Sequence, residues 1–387
     1  MANSNLSQAK NAKNDEFYTQ WDVIERELQG YLEFDSDVFR GKTILCPCDD
    51  PEWSNFTKFF ALHFNEYGLK KLISTSYAFE SKTYKVGCQL TLFEQNDPKF
   101  DKNKTLTHGK IFVLDSEDIN RDGKINIEDL KWDYLPGDGD FRSDEVKKLR
   151  SEADIIVTNP PFSLFREFLT WIMEAQKQFL IIGNMNAITY KEVFPLIKQN
   201  KVWLGPSISS GDRKFYVPEG TPLNAAGCGY DPDGRPFINI KGVRWFSNLD
   251  HGRRHKPLPL MTMADNLKFS KHKEIRGKPA YDKYDNHDAL EVPFTDAIPS
   301  DYDGVMGVPI SFLDKYCPEQ FEIMGMCENT DLYALKTKVY TTAECKQAYF
   351  AKFGKKGTYD MNASGVILKN GLQEKTYQRI LIKKKGT

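Results

Sequence analysis

Residues 154–169 read DIIVTNPPFSLFREFL, and the rest of the chain is best read outward from them. DIIVT is a short, continuous run of β-branched and apolar residues, the composition of a strand buried on both faces of a parallel sheet. After Ser163 the period changes: Phe165, Phe168, Leu169, Ile172 and Met173 recur at three- and four-residue spacing, which predicts an amphipathic helix over 163–177. Between strand and helix stands Asn159-Pro160-Pro161-Phe162. Ligands of open parallel sheets bind at the carboxyl ends of strands, so this loop lies on the functional rim.

The same alternation extends on both sides and predicts an α/β fold. Strands are expected at 42–46, 70–75, 110–115, 154–159, 178–185, 201–205 and 242–249. A helix is expected over 19–32, with Thr19 as its N-cap and Asp22 in its first turn. Another is expected over 188–200, kinked or restarted at Pro195. Beyond residue 250 the pattern becomes irregular and richer in Pro and Tyr. With 387 residues, two domains are expected, 1–250 and 251–387. The chain ends, to about residue 13 and at the terminal KKKGT, read as flexible.

Hydrophobic residues at 40% and charged residues at 28% exclude a disordered or collagen-like chain. No stretch approaches the roughly 18 continuous apolar residues that a membrane span needs, and the opening is too polar for a signal peptide. A cytoplasmic protein without a membrane partner is expected. Seven cysteines without a disulfide spacing fit a reducing compartment. Cys46-Pro-Cys48 is the one close pair, and with no second pair nearby it reads as buried small residues at a strand end rather than a zinc site.

Charge balances overall, 53 basic residues against 54 acidic, but is unevenly placed. Residues 251–280 carry eight Lys/Arg against two acids, a net of +6 that includes Arg253, Arg254, Lys256, Lys271, Lys273 and Arg276. Residues 282–330 have a net of −9 and residues 331–387 a net of +8. Basic segments interleaved with Tyr and Phe suit a phosphate-binding surface, although solvated charged faces produce such runs too.

The chemistry of the NPPF loop follows from its residue types. Each proline restricts the residue before it and has no N–H to donate, so the loop is extended with carbonyls available as acceptors. An amide oxygen beside a proline carbonyl forms a trap for an NH2 group. The exocyclic amine of adenine is a poor nucleophile because its lone pair is conjugated into the ring. Two acceptors on its hydrogens favour a pyramidal nitrogen whose lone pair can attack, and a neighbouring aromatic can stack on the base.

With DEFYTQ (15–20), CPCDDPEWSNF (46–56), GDGDFRS (137–143), TNPPFSLFREFL (158–169), ITYKEVF (188–194) and DYDGVMGVPISFLDKY (301–316), the chain resembles the EcoRI-type adenine-specific DNA methyltransferase family across nearly its whole length. That resemblance implies a Rossmann-like class I methyltransferase fold, a mixed seven-stranded sheet with a reversed seventh strand, followed by a target-recognition region. It implies S-adenosylmethionine as methyl donor and double-stranded DNA as partner, with GAATTC a candidate target. It also implies a monomer, bacterial or phage-encoded, that can pair with a restriction endonuclease of the same site.

By position, Asn159 and the Pro160 carbonyl would hold the adenine amine, next to Pro161, with Phe162 stacking on the flipped base. Asp140 and Phe141 would meet the cofactor's adenine, and Phe17, Tyr18 and Thr19 would close over its methionine part. Asp49 and Asp50 follow the first strand, where the fold places its cofactor loop. That loop lacks the glycine-rich pattern of methyltransferases in general, which leaves the roles of Cys46, Asp49, Asp50, Ser54 and Asn55 open. Glu80 is the nearest acid for the ribose hydroxyls.

A second motif occupies 118–129, where Asp118, Asn120, Asp122, Gly123 and Asp129 match an EF-hand-like loop. A strand precedes it, not a helix, so the reading stays open between a hard cation such as calcium and a metal-free polar turn. For the whole chain the expectation is adenine-N6 methylation of a flipped base in DNA. The rivals are an RNA or protein amino-methyltransferase sharing the NPPF trap, and a catalytically idle DNA-binding homologue.

Overall fold

The apolar runs of the first 250 residues assemble into one sheet. The structure is a computed structural model describing residues 19–51, 54–78, 100–115, 132–207, 212–217, 223 and 227–386. By its internal contacts the chain divides into two units. One comprises the described residues up to Ile197 together with Lys201–Gly252; the other comprises Lys198–Asn200 and the chain from Arg253 onward.

In the first unit the strands are β1 (Thr43–Cys46), β2 (Lys71–Thr75), β3 (Lys110–Asp115), β4 (Trp132–Tyr134), β5 (Ile155–Thr158), β6 (Gln178–Asn184), β7 (Trp203–Leu204) and β11 (Val243–Ser247). They form an eight-stranded sheet in the order β4-β3-β2-β1-β5-β6-β11-β7. The central strands β2, β1, β5 and β6 are parallel, with Ile44 of β1 beside Ile155 of β5. The flanks are antiparallel: β3 against β2, β4 against β3, and β11 against both β6 and β7. Eight strands stand where seven are expected. The addition is β4, whose three residues are too few to show an alternating pattern.

Strands β1 and β5 are buried at every position, as their unbroken apolar composition requires. Helix α1 (Trp21–Leu32) places Ile24, Leu28 and Tyr31 on one face in the core. It starts one residue later than the sequence suggests. Asn55 Nδ2 holds the Thr19 carbonyl at 2.7 Å and Gln20 stays extended, so Gln20 is the N-cap, without a side-chain bond, and Thr19 is not the cap. Helix α2 (Asn55–Leu62) is capped by Ser54, which accepts from Phe56 N–H at 3.0 Å.

Further along, α3 (Lys102–Thr107), α4 (Asp144–Glu152) and α5 (Phe165–Glu174) follow. Helix α5 buries Phe165, Phe168, Leu169, Trp171 and Ile172. A 3-10 turn at Met185–Thr189 and then α6 (Phe194–Lys198) replace a continuous helix, with Pro195 in the first turn of the restarted segment. Between β7 and β11 the chain forms a small antiparallel sheet from β8 (Asp212–Tyr216), β9 (Gly229–Tyr230) and β10 (Pro236–Lys241), in the order β8-β10-β9.

The second unit is more regular than its sequence suggests. It holds α7 (Met263–Phe269), β12 (Leu290–Glu291), β13 (Met306–Pro309), β14 (Phe321–Met326), α8 (Thr342–Phe353), β15 (Val366–Lys369), β16 (Leu372–Lys375) and β17 (Arg379–Lys384). β17 lies between β13 and β14, antiparallel to both, with Ile380, Leu381 and Ile382 buried. The terminal lysine run therefore does not begin as a loose tail: Lys383 and Lys384 belong to β17, and Lys384 pairs with Asp303 at 3.7 Å. No helix among the described residues is long and apolar enough to cross a membrane.

Candidate active site

The parallel strands β1, β2 and β5 end at one rim. β1 is followed in sequence by β2 on one side and, further on, by β5 on the other, so the loops leaving β1 and β5 diverge there. Such a switch point opens a crevice between the two loops. Asp49 leaves β1 and Asn159 leaves β5, and a hydroxyl network joins them. Thr158, the last residue of β5, donates its hydroxyl to Asp49 Oδ2, and Ser54 donates to Asp49 Oδ1 at 2.7 Å. The Asp49 carbonyl accepts from Ser74 Oγ at 2.6 Å, and its N–H donates to the Thr75 carbonyl at 3.0 Å. Asp49 is thus buried, with hydroxyls of the Asn159 strand and of the α2 cap on its two carboxylate oxygens.

The NPPF loop itself is compact. Asn159 and Pro160 are buried, while Pro161 and Phe162 are half-buried. Pro161 caps a 3-10 turn over Phe162–Leu164, and its carbonyl accepts from Leu164 N–H at 2.9 Å. That assignment separates the two prolines: the Pro161 carbonyl closes the turn, and among the described residues no backbone N–H bonds to the Pro160 carbonyl. The Phe162 ring packs at the margin of the main core.

The GDGDFRS segment packs against the chain leaving β2. Gly139 adopts φ of +75°, and a Cβ there would stand 2.2 Å from the Ser76 carbonyl, so only glycine lets the two backbones meet. Ala78 N–H donates to the Asp138 carbonyl at 2.7 Å. The Glu145 carboxylate accepts from Gly137 N–H at 3.0 Å and closes the turn. Asp140 therefore reaches the same rim, but its carboxylate is engaged by Arg142, at 2.8 Å from Nε and 2.5 Å from the second nitrogen. Burial would raise the Asp140 pKa; the Arg142 hydrogen bonds and charge outweigh it and hold the carboxyl below its usual range. The Phe141 ring points into the core, edge-on to Phe168 and Trp171 at 5.1 and 5.6 Å.

Other expected residues fall in several places. Thr19 is buried and bonded through its carbonyl to Asn55, and its hydroxyl has no hydrogen-bond partner among the described residues. Asp50 stands 3.8 Å from the buried Lys110 ammonium, which lies over the Trp132 ring. Cys46 is a core residue whose thiol is pushed well up, first by burial and then by the nearby Asp49 and Cys48 charges. Phe17, Tyr18, Glu80 and the 118–129 loop with Asp118, Asn120, Asp122 and Asp129 lie outside the described residues. Among the described residues no group of three His, Cys, Asp or Glu could hold a metal ion.

Of the expected basic contacts, Arg254 is turned inward: it is buried and donates to Asn200 Oδ1 at 2.7 Å, so it belongs to the fold of the second unit. Lys271 pairs with Asp296 at 2.7 Å. Arg253 is half-buried, whereas Lys256, Lys273 and Arg276 are exposed. Sequence reasoning overlooks Thr158, Ser54 and Ser74 as a network, although a Thr directly before NPPF and a Ser directly before a helix are visible signals.

The sequence matches the family described as adenine-specific methyltransferase EcoRI over residues 5–385. The chain belongs to that family. It is 43% identical over 329 residues to the Type II methyltransferase M.EcoRI of Escherichia coli, covering 85% of this chain and 91% of the relative. It is 33% identical over 386 residues to the Type II methyltransferase M.MgeORF184P of Mycoplasma genitalium, covering 98% of each. A third family relative, the Type II methyltransferase M.MpnI of Mycoplasma pneumoniae, is 33% identical over 87% of this chain and 90% of its own. No solved structure matches. Membership of the adenine-specific methyltransferase family, with relatives named Type II methyltransferases, does not favour the idle homologue or the RNA or protein enzymes.

Proposed function

We propose that this chain methylates the N6 amine of adenine at a specific site in duplex DNA, taking the methyl group from S-adenosylmethionine. The observation that supports this most is Asn159-Pro160 held buried at the end of β5, with Phe162 half-exposed at the mouth of the same loop. Asn159 Oδ1 and the Pro160 carbonyl accept the two hydrogens of the exocyclic amine and turn its lone pair out of conjugation. Pro161 fixes the turn. Phe162 stacks on the extruded base and offsets part of the unstacking cost of a few kcal/mol. In the fold assigned to the family, β11 takes the place of the reversed seventh strand, although β3 also runs antiparallel to the central strands here.

S-adenosylmethionine is assigned to the rim beside the β1 and β5 loops, where the buried Thr19 hydroxyl has no partner among the described residues and Ser54 and Asn55 stand at the start of α2. S-adenosylmethionine supplies an electrophilic methyl on a sulfonium when bound. Asp49 is assigned to joining the two loops rather than touching the cofactor, because it is buried and bridges the hydroxyls of Thr158 and Ser54. Asp140 accepts from the cofactor only while sharing its carboxylate with Arg142. The second unit is the target-recognition region, with Lys256, Lys273 and Arg276 on phosphates. The relatives' Type II names support a place in restriction–modification.

Asn159→Ala tests the reading. Turnover on duplex DNA is expected to fall by about 10²–10³-fold, as when one transition-state hydrogen-bonding group is removed, while filter-binding affinity for DNA and calorimetric affinity for S-adenosylmethionine stay near those of the unaltered protein. Undiminished turnover would remove Asn159 from the mechanism.

A further inference from the structure

Most of the basic residues of 331–387 sort into two groups. Lys338 pairs with Asp285 at 2.7 Å, Lys352 with Glu374 at 3.4 Å and Arg379 with Glu291 at 2.7 Å in the interior. These, with Lys384, are spent on the fold. Lys346, Lys355, Lys356, Lys369, Lys383 and Lys385 are exposed and, among the described residues, form no ion pair, while Lys336 and Lys375 are half-buried.

Three of these six, Lys346, Lys355 and Lys356, lie on or just beyond α8. This helix is held firmly. Thr341 and Glu344 form a complete capping box at its start, and Gly354 in the left-handed region, φ of 66°, ends it. Cys345 and Ala348 anchor one face in a small core with Tyr340, Met361 and Val366. On the adjoining face Lys346, Phe350 and Phe353 stand at i, i+4 and i+7, in register along the helix. Phe350 is 59% exposed and Phe353 47%, on a helix whose anchored face shows that apolar residues can be buried here. Lys355 and Lys356 extend the stripe past the C-cap.

A rigid helix presenting the exposed Phe350 ring and the half-exposed Phe353, which packs on Tyr349 and Tyr359, between unpaired lysines is complementary to a polyanion with an apolar interior. We propose that this face of α8 is a duplex-DNA contact: Lys346, Lys355 and Lys356 on phosphates, Phe350 and Phe353 on the apolar edges within the groove. The proposal rests on the reading of the chain as a DNA methyltransferase. It adds a DNA-binding surface outside the 251–280 basic segment.

The test uses the full-length protein and a PCR-made duplex that the unaltered protein methylates. Lys355→Ala/Lys356→Ala is expected to lower the slope of log K against log salt by about 2, at about 0.9 for each phosphate no longer neutralised. Phe350→Ala is expected to weaken binding about tenfold, the effect of removing a buried aromatic ring, with the slope unchanged. Thermal melting checks that both variants fold. If the unaltered protein methylates duplex DNA and both variants bind it like the parent, the α8 surface is refuted and the DNA reading stands. If the unaltered protein methylates no duplex, both fall. A changed sedimentation mass in Phe350→Ala with unchanged DNA binding would reassign the face to self-association.

Discussion

Asp49 carries a buried carboxylate whose two oxygens accept hydroxyl hydrogen bonds from Thr158 and Ser54. Each hydroxyl has a use beyond Asp49: Thr158 precedes Asn159, and Ser54 caps α2. The carboxylate thus ties the end of β5 to the start of α2. In Asp49→Asn one oxygen becomes an NH2 that cannot accept, so one hydroxyl is left without its partner at a cost of about 1–3 kcal/mol. We expect kcat to fall about 10- to 100-fold with the KM for S-adenosylmethionine changed far less, and Thr158→Val to act in the same direction. Single-turnover kinetics read the split; an effect confined to that KM would make Asp49 a cofactor ligand instead. Residue types predict the position of Asp49 but not its partners, because a hydroxyl's bonding depends on what the fold brings near. Arg142 illustrates the same limit, its pairing with Asp140 being invisible until the turn is built. Arg254 reads as a surface cation in the sequence, and only its surroundings in the fold reveal Asn200.

Elements whose own periodicity is strong are legible in the sequence. β1, β5 and β6 announce themselves as unbroken apolar runs, and α5 as a repeated three- and four-residue spacing. The elements that sequence does not reveal are short or owe their form to distant partners. β4 has three residues, β12 two, and β17 reads as a basic tail although β13 and β14 bury its apolar residues on either side. The start of α1 lies one residue beyond its expected place because Asn55, distant in sequence, holds the Thr19 carbonyl. Helix α8 supplies a prediction at this scale. Its capping box joins Thr341 Oγ1 to Glu344 N–H and the Glu344 carboxylate to Thr341 N–H at 2.7 Å. Its hydrophobic core is small, so the cap matters: Thr341→Ala is expected to cost about 1 kcal/mol in urea unfolding. A change under a few tenths would show that tertiary packing alone holds the helix.

At the scale of the molecule, two units divide the work assigned here. The first gathers the ends of β1, β2 and β5 into one rim, where Asn159, Asp49, Thr19 and the Asp140 turn meet. The second carries basic residues of which a part is consumed internally, in pairs such as Arg379 with Glu291, and a part faces outward on Lys256, Lys273, Arg276 and α8. Net charge over a segment therefore overstates its capacity for phosphate, and only the structure separates the two portions. The central claim is that the methyl group reaches the N6 nitrogen of adenine in DNA. The most direct measurement incubates the purified protein with isotopically labelled S-adenosylmethionine and duplex DNA, then digests the DNA to nucleosides for mass spectrometry. The result expected is label in N6-methyldeoxyadenosine, formed about 10²–10³-fold more slowly with Asn159→Ala. Label in a methylated cytosine, or in added RNA or protein with none in DNA, would contradict it.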